Sequence, residues 1–142
     1  MSPARLAAQA LELLGPVDGP VAVLGPDALV RAVAKLATVA TDDGAAAIVC
    51  FVGTPLDVLT RQAQLATLRA RLVSGAPLVL VDHNQPRTWP RRFVAAACLV
   101  LRGLRPARAR HPAARELQAL GLRVERLRFA AGERLQLVLA RR

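Results

Sequence analysis

Asp82 and His83 stand side by side at the end of an apolar run, PLVLVDH (77–83). Open α/β sheets bind ligands at such strand ends, and an imidazole beside a carboxylate there can act as a general base toward a hydroxyl or an acidic carbon. The alternative is that Asp82 caps the following loop and His83 is solvated. Neither residue has metal-ligand company in the sequence, because the second histidine, His111, falls at a later helix start. No metal site is expected. Further candidates lie at other strand ends. Gly25 and Asp27 follow the run VAVLG (21–25), and Gly53 and Thr54 follow AAAIVCFVG (45–53). A glycine turn opening a helix lets backbone amides approach an anion or a nucleoside. Thr54 as a plain N-cap accounts for the second pair equally well. Cys50 lies inside an apolar run and reads as core rather than as a nucleophile. Trp89 and Arg91 sit in NQPRTWPRR (84–92), where the indole can stack on a planar ligand or seat the loop on the core.

The elements that position these residues follow from hydrophobic spacing. Ser2-Pro3 predicts a helix N-terminus with its apolar stripe at Leu6, Ala10, Leu13 and Leu14, closed by Gly15. Asp27 opens a helix expected to reach about Ala40, with Leu29, Val33 and Leu36 on one side. Thr54-Pro55 predicts the start of the next, whose core stripe is Leu65, Leu68 and Leu72. A helix from about Arg91 to Leu104 and a shorter one near 112–120 come next. The chain ends in two strands, 123–130 and 134–141, joined through Gly132. Apolar strands alternating with helices, then a terminal hairpin, predict an α/β fold: about five strands, mostly parallel, with helices on both faces.

Composition sets the outer limits. The 142 residues fit one domain, 54% of them hydrophobic and only 3% aromatic, so the core is expected to be Leu, Val and Ala. Two cysteines, each inside an apolar run, suit reduced thiols rather than a disulfide framework. The first segment, MSPARLAAQALELLG, lacks the uninterrupted apolar stretch of an export signal. The longest apolar run, Phe93 to Leu101, has 9 residues against the roughly 20 of a membrane span. A cytoplasmic protein with no membrane partner is the expectation. Charge is uneven: residues 1–84 carry 6 basic and 7 acidic residues, whereas 85–142 carry 14 and 3. The resulting +11 can mark a polyanion-binding face around Arg102, Arg105, Arg108 and Arg110, with Arg123, Arg126 and Arg128 following, or a solvated arginine-rich one. Interleaved aromatics are nearly absent, which argues against base stacking.

From about Ala46 to its end, the chain resembles the C-terminal half of class I S-adenosylmethionine-dependent methyltransferases, of the small-molecule type typified by quinone-biosynthesis enzymes. The resemblance rests on LRARLVSGAPLVLVDHNQP (68–86) and ARELQALGLRVERLRFAAGERLQLVLARR (114–142). They look like the family's strand ending in an acid and its last helix with antiparallel hairpin. It implies a single domain over 1–142: an N-terminal helix (1–15), a cofactor-loop region (21–44) and a methyltransferase-like remainder (45–142). It also implies S-adenosylmethionine as cofactor, with Gly25, Asp27, Gly53 and Thr54 as its contacts. The family's acid-x-Gly-x-Gly-x-Gly loop is degenerate in VAVLGPDAL: Val23 replaces the acid, and Asp27 and Leu29 replace the second and third glycines. Only Pro26 to Gly44 separates the first strand from the next. The family's second and third strands are therefore expected to be missing, and its ribose-holding acid has no equivalent beyond Asp42 or Asp43. Three functions remain open: methyl transfer to a small molecule, a non-catalytic partner or scaffold subunit, and a sequence-tolerant nucleic-acid binder. A shortened sheet would expose its first strand as an edge open to a second copy or a partner chain.

Overall fold

A computed structural model describes residues 1–40, 44–53, 56–106 and 112–142. Helix α1 (Pro3–Leu14) is capped by the Ser2 side chain, which accepts from the Arg5 amide. It leads through a turn to β1 (Val21–Leu24), α2 (Asp27–Ala34) and β2 (Val39–Ala40). Next come β3 (Ala46–Cys50), α3 (Val58–Arg71), β4 (Pro77–His83), α4 (Trp89–Val100) and α5 (Ala113–Ala119). The chain closes with β5 (Arg123–Ala130) and β6 (Leu135–Arg141).

Among the described residues these strands form one six-stranded sheet in the order β2-β1-β3-β4-β6-β5. The pairs β1–β2, β1–β3 and β3–β4 are parallel, and β6 alone runs against its neighbours β4 and β5. Strand alternation divides the core into two layers. Val21, Ile48, Cys50, Val79, Val81 and Leu137 pack against α1 and α2. Ala47, Val49, Leu78, Leu80 and Val138 pack against α3 and α5. β3 and β4 are buried on both faces, which is why they read in the sequence as unbroken apolar runs.

Three elements depart from the expectations above. Helix α2 stops at Ala34 rather than near Ala40, and Leu36 is exposed. The freed segment runs beside β1, with the Val21 amide donating to the Thr38 carbonyl, and Val39 and Ala40 form β2. Thus β1 is not an edge; β2 covers it. Helix α3 begins at Val58, not at Thr54-Pro55, because Asp57 is its N-cap: the carboxylate accepts from both the amide and the hydroxyl of Thr60. These bonds hold the Asp57 carboxyl below its ordinary range. Finally, α4 starts at Trp89 itself, with Pro90 in its first turn, so the tryptophan belongs to a helix rather than to a loop.

Candidate functional site

The carboxyl edge of β1, β3 and β4 gathers most of the candidates. Asp82 and His83 are consecutive in β4, so their side chains leave opposite faces of the sheet. The structure therefore does not join them as a dyad. Asp82 enters the layer under α3 and α5, where its Oδ2 meets Arg61 Nη2 at 2.5 Å and its Oδ1 accepts from the His83 amide at 2.7 Å. Arg61 Nε also donates to both oxygens of Glu116 on α5, at 2.9 and 3.1 Å. Its guanidinium lies over the Phe51 ring, with Cζ 4.2 Å from the centroid. Arg61 and Asp82 are only 2% and 1% exposed. A buried carboxylate shared by a guanidinium and a backbone amide is an anchor joining β4, α3 and α5, not a base open to substrate.

Arg61 is the important residue missed in the sequence. Its signal was present: with Leu65, Leu68 and Leu72 it continues the i, i+4, i+7, i+11 stripe of α3, so its position faces the core. A charge on an apolar stripe requires a buried partner, and Asp82 and Glu116 supply it.

His83 enters the opposite layer. It is buried, and its Nε2 accepts from the Gly53 amide at 3.4 Å. Gly53 adopts φ +82°, with open space where a Cβ would stand. The sequence assigns these two residues to different sites; the structure brings them into contact, and His83 lines a cavity of about 110 Å³. Leu6, Val52, Ala95, Cys98, Leu99 and Leu135 supply its apolar wall, and Asn84, Arg102 and Arg134 its polar side. Small-molecule sites usually span roughly 300–1,000 Å³, so this space fits a small group rather than a nucleoside.

Gly25 and Asp27 lie apart from that cavity, in the turn between β1 and α2. There the sheet order reverses, between β1 and β3, which is where doubly wound sheets take ligands. A Cβ on Gly25 would stand 3.0 Å from Cys50 Cβ and 3.1 Å from the Cys50 carbonyl oxygen. The space that this glycine frees is thus occupied by β3. Asp27 is the exposed first residue of α2, and its carboxylate occupies the positive end of that helix. Cys50 is core: burial pushes its thiol up to about 11, a hydrogen bond with the Val52 backbone opposes the rise, and the Asp82 charge adds to it. Thr54 and the pair Asp42 and Asp43 lie outside the described residues, as do Arg108, Arg110 and His111. Trp89 is 77% exposed and stacks on Phe93, and Arg91 pairs with Glu133 at 3.3 Å. Neither lines the cavity. Among the described residues no group of three His, Cys, Asp or Glu side chains can hold a metal ion.

Comparison with solved structures decides the fold. The pyocyanin biosynthetic protein PhzM superimposes with a TM-score of 0.71 over 98% of this chain and 55% of its own, at 14% identity. The chain has the class I methyltransferase fold. A glycopeptide N-methyltransferase, MtfA, in complex with S-adenosylhomocysteine matches 99% of this chain and 90% of its own, with TM-score 0.62 and 15% identity. Human N-acetylserotonin methyltransferase in complex with S-adenosylmethionine matches 98% and 51%, with TM-score 0.63 and 14% identity. The chain therefore spans about half the length of PhzM and of the human enzyme. No family model matches the sequence, and no curated protein matches it. The likeness is thus one of fold, at 14–15% identity in these three comparisons.

Proposed function

We propose that the chain is a methyltransferase-fold protein that has lost the customary S-adenosylmethionine site and serves as a non-catalytic partner subunit. The observation that carries this reading is the tight packing of the turn after β1 on β3, where a Cβ on Gly25 would stand 3.0 Å from Cys50 Cβ. Two further features support it. Asp27 presents a side chain and a negative charge where the family's second glycine admits the cofactor. The Arg61–Asp82–Glu116 cluster commits the acid at the end of β4 to holding helices together. Gly25 is thus the one residue of the family's glycine-rich loop that this edge keeps, which favours loss of the nucleoside cofactor. Calorimetric titration with S-adenosylmethionine and S-adenosylhomocysteine tests the reading. Silence at millimolar ligand is expected, and micromolar binding overturns it in favour of a minimal small-molecule methyltransferase.

A further inference from the structure

Helix α4 is apolar on two sides. Its inner side buries Ala95 and Leu99. Its outer side carries Trp89, Phe93, Val94, Val100 and Leu101, which are 77, 68, 52, 61 and 87% exposed. The spacing of Trp89, Phe93, Ala97 and Val100 makes one continuous stripe on a helix. The two rings are stacked, with centroids 6.5 Å apart, so the aromatic end of the stripe is a preformed wedge. Water gains nothing from such a surface, and an exposed apolar ridge of this kind marks a contact site.

The charge around the ridge identifies what it contacts. From His83 to Arg115 the sequence holds eight arginines and no carboxylate. Arg87, Arg91, Arg92, Arg102 and Arg105 are all exposed beside or just beyond the helix. Glu133 accepts from the Arg87 amide and pairs with Arg91, Arg92 Nε donates to the Pro86 carbonyl, and Arg102, which also lines the cavity, stands with Arg105 at the other end of the helix. A second copy of this chain brings the same positive field and is disfavoured. An exposed aromatic and aliphatic helix face with arginines before and after it suits the headgroup–acyl boundary of a bilayer, where arginines meet anionic lipid and the rings enter the interface. We infer that α4 seats the protein on an anionic membrane surface. Among the described residues no helix is long and apolar enough to cross a membrane, and seating of this kind needs none. The inference rests on the α4 surface alone and stands whether or not a nucleoside cofactor binds.

Trp89 is the only tryptophan, so the wedge carries its own reporter. The protein is mixed with phosphatidylcholine vesicles, with and without phosphatidylserine, and followed by flotation and tryptophan emission. Flotation with the anionic vesicles, a blue-shifted emission and weakening as added salt shortens the screening length are expected. The double variant Phe93→Ser/Leu101→Ser, which keeps the reporter and changes only exposed side chains, is expected to lower partitioning by about tenfold or more. Arg102→Glu/Arg105→Glu is expected to abolish the preference for anionic lipid. Absence of flotation overturns the inference and directs the search to an acidic protein partner. Flotation that leaves the emission unshifted, or that survives the Phe93/Leu101 change, overturns it too, because it shows adsorption by charge alone.

Discussion

Arg61, in the first half of α3, and Asp82, at the end of β4, meet through a 2.5 Å contact between Nη2 and Oδ2 in a place almost closed to water. The arginine's remaining reach goes to Glu116 and to the face of Phe51. One guanidinium thus ties the central sheet to both helices of one layer, and its planar fork suits two carboxylates in a way an ammonium does not.

Removing Arg61 leaves the Asp82 carboxylate buried without its guanidinium, and Arg61→Met is expected to lower unfolding free energy by about 3–5 kcal/mol in urea titrations. Asp82→Leu is expected to cost less, because Arg61 keeps Glu116. Arg61→Met/Asp82→Leu is expected to recover part of the Arg61→Met loss, because the more deeply buried carboxylate leaves with the guanidinium and only Glu116 stays. A cost below about 1 kcal/mol for Arg61→Met would show that the contact does not carry stability.

Cys50 gives the protein an alkaline limit. The folded state keeps this thiol protonated up to about 11, whereas its ordinary value is 9.0. Between those values the native state binds the extra proton, so stability falls as pH rises. The contribution is whole below 9.0 and gone above about 11. It amounts to about 3 kcal/mol at 1.36 kcal/mol per unit of pKa. With no tyrosine and a single lysine, Lys35, in the chain, few other groups titrate in that window. Denaturation midpoints between pH 8.5 and 11 are therefore expected to fall for the wild type, and less steeply for Cys50→Ala. Equal slopes would contradict the assignment. Cys98, half-buried with its Sγ 3.5 Å from Arg134 Nη1, is the thiol a mild reagent reaches in the folded protein. One thiol is expected to react natively and two in denaturant.

Gly25→Ala tests the packing of the β1–α2 turn. The added methyl group meets Cys50 Cβ at 3.0 Å and the Cys50 carbonyl at 3.1 Å, and part of that clash is with backbone that cannot rotate away. A cost of about 1–3 kcal/mol is expected, as for other overpacked sites. A neutral or stabilising result would mean that the turn has room, and with it room for a ligand.

The fold was legible because burial leaves a mark on sequence. VAVL, AAIVC and PLVLVDH are apolar throughout because both faces of those strands are covered, and the terminal strands pair where their turn residues allow. β2 was hidden because two residues, Val39 and Ala40, carry no periodicity, and Leu36 extended the apparent stripe of α2 beyond its end. The start of α3 was misplaced because Thr54-Pro55 and Asp57 both offer capping chemistry within four residues, and the Thr60 contacts decide between them. The site was less legible still. Adjacency in sequence suggested a working pair in Asp82 and His83, yet a strand turns neighbours to opposite faces. His83 instead meets Gly53, thirty residues away. That meeting depends on the parallel register of β3 and β4, which no local pattern encodes.

Loss of the cofactor site means that the reversal point of the sheet no longer admits a nucleoside. The most direct measurement is isothermal titration of the folded protein with S-adenosylhomocysteine, repeated with S-adenosylmethionine. No heat of binding up to millimolar ligand is predicted, in keeping with a turn that carries Asp27 and Leu29 in place of two of the family's glycines. Saturable binding in the micromolar range would contradict it and restore methyl transfer as the protein's activity.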